Sequence, residues 1–205
     1  MQMRRYATLI LLLTAWFVAS AGFAGGPMAM VPWPAQVPED EPVVVQFIDL
    51  VFRLPRSMVG RVVVLGVDSP NLTILRNPDN SEDLINIGRM EDFWAVYETL
   101  KKEGYFNGLD IHDAESFFDS LAVSPGTSVS EPLKIMRDAF QVKDAKYTKS
   151  VKGEFAVYRI VSRRPGADML YILIDGNETV YELTGNISDD DYKALLSGMS
   201  ISKLH

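Results

Sequence analysis

The chain has 205 residues, of which 47% are hydrophobic and 23% charged, a composition typical of one ordinary globular domain. It contains no cysteine, which excludes disulfides, thiolate metal sites and lipid attachment through a cysteine. The formal net charge is −7, and so acidic a chain is a poor nucleic-acid binder, because contacts with phosphates need a positive surface.

Residues 1–24 have the features of an export signal. Two arginines precede the apolar run Ala7–Ala19, and small residues then allow cleavage after Ala21 or Ala24. The run is shorter than the roughly 20 residues of a membrane-spanning helix. The sequence therefore predicts export by the general secretory route and a periplasmic or secreted protein, with an uncleaved N-terminal anchor as the alternative.

Residues 25–42 are rich in proline and hold five of the eleven prolines in the chain. Prolines at this density favour an extended polyproline conformation and exclude a regular helix. The segment is predicted to be a passive spacer that precedes one globular domain at residues 43–205. The alternative is an arm that extends the reach of the domain, with Trp33 as a contact.

The domain is predicted to begin with β-strands. Residues 43–55, "VVVQFIDLVFRLP", alternate apolar and polar side chains, which is the period of a half-buried strand. The β-branched run Arg61–Val67 predicts a strand that is buried on both faces. Two further strand-like segments, "NLTILR" and "DLINI", lie between turn signals, so three or four strands are expected by about residue 88.

Three amphipathic helices are predicted next, because apolar residues recur three and four positions apart. Ser130 fits the N-cap of the third helix and Pro132 fits its first turn. The predicted apolar stripes are Phe93, Val96, Tyr97 and Leu100; Ala114, Phe117, Phe118 and Leu121; and Leu133, Met136 and Phe140.

The last third of the chain predicts a three-stranded meander followed by a helix. The segments "EFAVYRIVS", "DMLYILI" and "ETVYEL" are strand-like, and Asp175-Gly176 is a strong hairpin signal between the last two. In "GNISDDDYKALLSGM", Ser188 fits an N-cap and Asp191 its capping-box partner, so the three aspartates are interpreted as a helix start. Strands, helices, meander and helix together predict a single α+β domain with a mostly antiparallel sheet and helices packed on it.

Groups that could perform catalysis are sparse. The chain has two histidines and lacks a nucleophile elbow, a phosphate-binding loop and a dinucleotide fingerprint. We therefore expect no enzyme activity and no cofactor. The open alternative is a metal-assisted hydrolase in which His112 acts with Asp110, Asp113 and Glu115. In the competing interpretation, one of these aspartates caps the helix that follows and His112 is exposed.

Positive charge is concentrated in residues 132–164, where nine Lys and Arg face three acids. Lysines recur every third position in what is interpreted as a solvated loop between a helix and a strand. The alternative is a docking patch for an acidic protein or an anionic membrane surface. Trp94 lies off the stripe of its helix and is a candidate exposed anchor. The candidate partner-binding residues are Lys143, Lys146, Lys149, Lys152, Arg163, Arg164 and Trp94.

The functional prediction follows from few catalytic groups, uneven charge and an export signal. We expect a non-enzymatic accessory, inhibitor or immunity-type factor that binds another envelope or secreted protein. A carrier of a lipid or other apolar ligand, held between sheet and helices, is one alternative. The hydrolase centred on His112 is the other.

Overall fold

A computed structural model describes residues 28–34, 41–66, 70–77, 79–80, 83–122, 130–142, 145–164 and 166–202. Within these ranges, eleven strands and four helices form one α+β domain with a mostly antiparallel sheet, which confirms the predicted fold class. The predicted export signal at residues 1–24 lies outside the described residues. None of the described helices combines the length and the apolar character that a membrane crossing requires.

The elements follow one another in the order strands, helices, strands, helix and strand. The strands are β1 (Ala29–Met30), β2 (Val43–Phe47), β3 (Leu50–Leu54), β4 (Arg61–Leu65), β5 (Asn71–Leu75), β6 (Leu84–Arg89), β7 (Lys146–Lys152), β8 (Phe155–Val161), β9 (Asp168–Ile174), β10 (Tyr181–Gly185) and β11 (Met199–Ile201). The helices are α1 (Phe93–Lys102), α2 (Ala114–Ser120), α3 (Glu131–Ala139) and α4 (Asp189–Gly198). A short 3₁₀ turn, Arg56–Met58, lies between β3 and β4.

The strands form a large and a small sheet. The large sheet has eight strands in the order β1-β7-β8-β9-β10-β6-β5-β4, and the small sheet has the order β11-β3-β2. Every neighbouring pair is antiparallel except β1 and β7, which run parallel. Strands β7 to β10 are consecutive, so the meander has one strand more than the three predicted from the sequence.

The large sheet separates two hydrophobic cores. Alternate side chains of β8 and β9 point to opposite faces, and both sets are apolar, which is why these strands are buried on both sides. On one face, Phe118 of α2 packs against Tyr158 and Tyr171, and Phe93 of α1 and Phe117 of α2 pack against Phe118 in the same core. On the other face, the small sheet and α4 cover the large sheet.

Residues 43–54 form a hairpin where the sequence predicted one strand. Strands β2 and β3 pair antiparallel around Ile48 and Asp49, with Phe47 opposite Leu50. The backbone of Ile48 has φ +54°, a left-handed conformation that a β-branched residue adopts rarely. The apolar alternation continues through this turn and no glycine marks it, so the prediction of one strand was wrong.

Residues 28–34 belong to the fold, although the sequence placed them in a spacer. Strand β1 pairs with β7, the amide of Val31 donates to the carbonyl of Lys149 at 2.8 Å, and the Ser150 hydroxyl donates to the carbonyl of Val31 at 2.8 Å. Trp33 stacks on Phe155 with ring centroids 6.0 Å apart. The spacer interpretation therefore does not describe this part of residues 25–42, while residues 35–40 lie outside the described ranges.

The aspartate triplet is the start of α4, as the sequence predicted. The amide of Asp191 donates to the Ser188 hydroxyl at 3.1 Å, and the amide of Ser188 donates back to the Asp191 carboxylate at 2.9 Å. Ile187 before the cap and Tyr192 after it are both buried in the same core, which is the arrangement of a hydrophobic staple. The predicted N-cap of α3, Ser130, is also observed.

Removal of the Ser188 cap gives a local test of this helix start. We expect Ser188→Ala to lower the free energy of unfolding by about 1 kcal/mol, because the substitution leaves an amide of the first turn without its acceptor. Chemical denaturation of the two proteins measures the difference. Ser197→Ala, at the far end of the same helix, is the control and should change stability less.

Candidate functional site

Lys149 lies in an internal cluster of charges. Its ammonium group is 2.8 Å from Glu115 Oε1 and 2.8 Å from both carboxylate oxygens of Asp119. The hydroxyl of Tyr158 donates to Asp119 Oδ1 at 2.7 Å, and the ammonium lies 5.0 Å from the centre of the Tyr158 ring. Because Glu115 and Asp119 belong to α2, the cluster ties this helix to β7 and β8.

The electrostatics of this cluster favour a fixed ion pair. Burial alone lowers the pKa of Lys149, but the two carboxylates outweigh burial and the net pKa is raised. Burial and the neighbouring Asp119 raise the pKa of the Tyr158 hydroxyl. Lys149 therefore stays protonated and Tyr158 stays neutral at ordinary pH, so neither side chain is a ready nucleophile or base.

The predicted solvated loop around these lysines is a strand, and that prediction was wrong. Strand β7 carries Lys146, Lys149 and Lys152, and its alternation directs Lys149 towards α2 while the other two side chains are exposed. Only 8% of the Lys149 side chain is accessible to solvent. Its ammonium is therefore held within the chain by Glu115 and Asp119.

The other predicted basic contacts do not form one patch. Lys146 begins β7 near Arg163 and Arg164, which are exposed in the turn after β8. Lys152 ends β7 six residues later, about 20 Å away at the strand rise of 3.3 Å per residue. Lys143 lies outside the described residues. A role for these side chains in partner binding remains a prediction.

Trp94 is half-buried and held in place rather than projecting as a free anchor. Its indole Nε1 donates to the carbonyl of Glu178, and its ring packs edge-to-face against Phe93 and Tyr97 at 5.1 and 5.3 Å. These contacts connect α1 to the turn between β9 and β10. One side of Trp94 remains accessible and faces a groove of about 250 Å³.

Both apolar and acidic residues line this groove. Val151, Leu173 and Val180 contribute apolar surface. The acidic lining residues are Asp113, Glu115, Glu154 and Asp175. Of these, Glu115 is paired with Lys149. The described residues contain no group of three His, Cys, Asp or Glu side chains suited to hold a metal ion. Two of the four acidic lining residues thus have partners within the chain, since Glu115 pairs with Lys149 and Asp113 accepts the amide of Ser116.

His112 lies on the surface at the start of α2. Its ring nitrogens are 3.7 Å from Asp110 Oδ1 and 3.5 Å from Asp113 Oδ2, and 68% of its side chain is exposed. Asp113 accepts the amide of Ser116 at 2.7 Å as the helix cap. Burial alone raises the pKa of Asp113, but the hydrogen bonds from Ser116 outweigh it and lower the pKa. The described contacts therefore match the predicted capping role of Asp113.

The exposed edge of the large sheet is β4, which the sequence predicted to be buried on both faces. That prediction was wrong, because Val62, Val64 and Leu65 are 40%, 64% and 57% exposed. Val62 lies opposite Ile74 and Val64 opposite Leu72, so both valines are on the face that carries the buried core of the neighbouring strands. The core face of the sheet thus continues onto β4, where it is open to solvent.

The helix-side face of the sheet is also more open towards β4. All helix-side residues of β8 and β9 except Met169 are buried, whereas Glu182, Thr184 and Asn86 on β10 and β6 are half-buried. On β5, the Thr73 hydroxyl donates to Asn86 Oδ1 at 2.6 Å. Burial raises the pKa of the Glu182 carboxyl group. Helices α1 to α3 therefore shield the β7–β9 half of the sheet more completely than the half that ends in β4.

No protein-family model matches this chain, and neither does any curated protein sequence. The fold uses some of its polar side chains internally and leaves other side chains exposed. The Lys149 cluster and the capping aspartates have internal roles. Strand β4 has an apolar surface for which the described part of the chain provides no cover.

Proposed function

We propose that the protein binds another exported protein and acts as a non-enzymatic accessory, inhibitor or immunity-type factor of the cell envelope. The observation that supports the proposal is β4, an edge strand with three exposed apolar side chains in five residues. Exposed apolar edges promote pairing with other chains, and soluble proteins normally cover or charge them. A partner that covers the apolar side chains of β4 would explain why this edge strand is rich in valine and leucine.

The internal use of the polar groups also supports a binding role. Arg159 donates to Asp189 at 2.6 Å and stacks on Tyr192 at 4.7 Å, so it holds the start of α4 on the sheet. The Lys149 cluster similarly holds α2. In both clusters oppositely charged groups pair and connect elements of the fold, which is the pattern expected of structural ion pairs.

Affinity capture from the cell envelope tests this proposal. Immobilised protein, from residue 25 to residue 205, is expected to retain one exported protein in a stoichiometric amount. The same chain unfolded before immobilisation is the control for nonspecific adsorption. If repeated captures from envelope and secreted fractions retain nothing above this control, the proposed function is wrong.

The predicted basic contacts can be tested in the same assay. Because Lys149 is structural, the informative variant is the double substitution Lys146→Glu with Arg164→Glu, which leaves the internal cluster intact. A contact with an acidic partner predicts weaker capture, mainly through a slower association rate at low salt. Capture at the wild-type rate would assign the binding surface to another part of the molecule.

A further inference from the structure

We propose that β4 binds an extended segment of the partner that is apolar along one face and acidic at one end, as a ninth strand of the large sheet. The inference rests on the proposed function and specifies its surface and the chemistry of its partner. It depends on three properties of β4: its position at the edge, the faces of its apolar residues and the charge around it.

The position of β4 leaves one side of its main chain open. Its register pairs Arg61 with Leu75 and Leu65 with Asn71, so β4 pairs with β5 along its whole length. On the other side, no strand of the described chain pairs with it. Alternate residues of an edge strand present free amide and carbonyl groups, which an added strand can bind by hydrogen bonds along its length.

The side chains of β4 define which residues an added strand should carry. Val62 and Val64 continue the apolar row formed by Ile74 and Leu72, which are buried in the core. An added strand with apolar residues at alternate positions on this face would extend the core by one strand and cover both valines. On the opposite face, Leu65 offers a smaller apolar contact.

The charge around β4 selects an acidic partner. Residues 53–66 contain three arginines and no acid, so this segment carries +3 in a chain with a net charge of −7. The side chains of Arg53, Arg56 and Arg61 are exposed, and none forms an ion pair with a described residue. The remainder of the chain carries −10, the difference between these two values. An acidic segment is therefore attracted to this edge, while the remainder of the chain is acidic in sum.

The neighbouring acidic residues do not cancel this charge. Asp83, which follows the turn after β5, lies 2.8 Å from the guanidinium of Arg76. Arg76 also pairs with Asp191 at 2.5 Å, so both carboxylates are engaged by Arg76 on the α4 side. Among the described residues, Arg56, in the turn before β4, and Arg61, at the start of β4, have no ion-pair partner and can meet the carboxylates of a bound segment.

A second copy of the chain fits this edge less well than an acidic segment. Antiparallel pairing of two β4 strands would match the valines, since Val62 would face Val64 of the other copy. It would also bring two segments of charge +3 together. Like charges across an interface oppose association, whereas carboxylates near Arg56 and Arg61 favour it. We therefore assign β4 to a different protein.

Hydrogen exchange with defined peptides tests this assignment. The probe is an acetylated octapeptide, Glu-Glu-Thr-Val-Thr-Val-Thr-Val-amide, and its matched control replaces both glutamates with lysines. At saturating acidic peptide, we expect exchange to slow by about tenfold or more at those amides of residues 61–65 that do not bond to β5. The lysine peptide should leave these amides unprotected at the same concentration.

Two variants connect the protection to the proposed contacts. Val64→Lys should abolish protection by the acidic peptide, whereas Val44→Lys, at a valine that is 59% exposed on the edge strand β2, should retain it. The double substitution Arg56→Glu with Arg61→Glu should reverse the preference towards the lysine peptide. Unchanged melting temperatures for these variants would exclude unfolding as the cause.

Several outcomes would overturn the inference. Absence of protection by the acidic peptide, or equal protection by both peptides, contradicts it. Protection that appears without peptide and grows with protein concentration, together with a dimer mass in sedimentation, would identify a second copy as the occupant of β4.

The inference and the proposed function can fail separately. If Val64→Lys captures the envelope partner as well as the wild type does, partner binding stands and the β4 surface is wrong. If the acidic peptide protects β4 but no envelope protein is captured, the surface stands and the proposed function is wrong.

Discussion

Replacement of Lys149 by methionine is expected to lower the free energy of unfolding by about 2–3 kcal/mol. The substitution removes a buried ammonium and leaves the carboxylates of Glu115 and Asp119 without their partner. Removal of one member of a fully buried ion pair lowers the free energy of unfolding by more than this amount. Here the side chains of Glu115 and Asp119 are 52% and 42% exposed, so water offsets part of the loss.

Urea denaturation of Lys149→Met measures this effect, and Lys146→Met is the matched control. Lys146 has the same side chain on the same strand but is exposed, so its removal should change stability by no more than about 0.5 kcal/mol. Equal stability changes for the two variants would contradict an internal role for Lys149.

A second comparison separates the internal role from the partner contact that the sequence predicted. If Lys149 only ties α2 to the sheet, its substitution by methionine should accelerate hydrogen exchange in α2. Partner capture at a temperature where the variant is fully folded should stay at the wild-type level. A loss of capture by the folded variant would restore Lys149 as a partner contact.

Features that depend on a few neighbouring residues could be predicted from the sequence. The start of α4 needs only the spacing of Ser188 and Asp191 and the flanking apolar residues. The turn at Asp175-Gly176 needs only a glycine that tolerates positive φ, observed here as +72°. Both signals are local, and both predicted elements are present in the structure.

Features that depend on the order of strands in the sheet could not be predicted. The run of valines in β4 has the composition of a central strand, but its burial depends on whether another strand lies beside it. In this fold β4 is last in the order, and its valines are exposed. No local pattern distinguishes these two situations, because the neighbours of a strand come from distant parts of the chain.

The internal ion pairs were missed for a related reason. Lys149 is separated from Glu115 by 34 residues, so the pairing depends on how α2 packs on β7. The alternation of Tyr147 and Lys149 could have indicated a strand with both side chains on one face. A solvated loop was predicted instead, because the segment contains four lysines and buried lysines are rare unless they are paired.

The carboxylate of Asp191 is expected to make stability depend on pH. Burial alone raises the pKa of Asp191, but hydrogen bonds from Ser188 and the pairing with Arg76 outweigh burial and lower the pKa. A lowered pKa in the folded state means that the folded protein holds the charged form more strongly than the unfolded chain does. This stabilisation is complete when the pH is above the pKa of aspartate in the unfolded chain, which is near 3.9. It is lost as the pH falls through the pKa of Asp191 in the folded state.

The substitution Asp191→Asn should therefore cost about 2 kcal/mol at neutral pH, because an asparagine keeps an acceptor for Ser188 but loses the charge that pairs with Arg76. The difference from the wild type should shrink below about pH 4, as the wild-type carboxylate becomes protonated. Denaturation curves at a series of pH values measure it. The neighbouring Asp190→Asn is the control, since Asp190 pairs only with the exposed Lys193 in the described contacts. The stability difference between Asp191→Asn and the wild type could instead stay constant down to low pH. In that case the charge of Asp191 contributes nothing to stability, and its role is limited to the hydrogen bonds that begin α4.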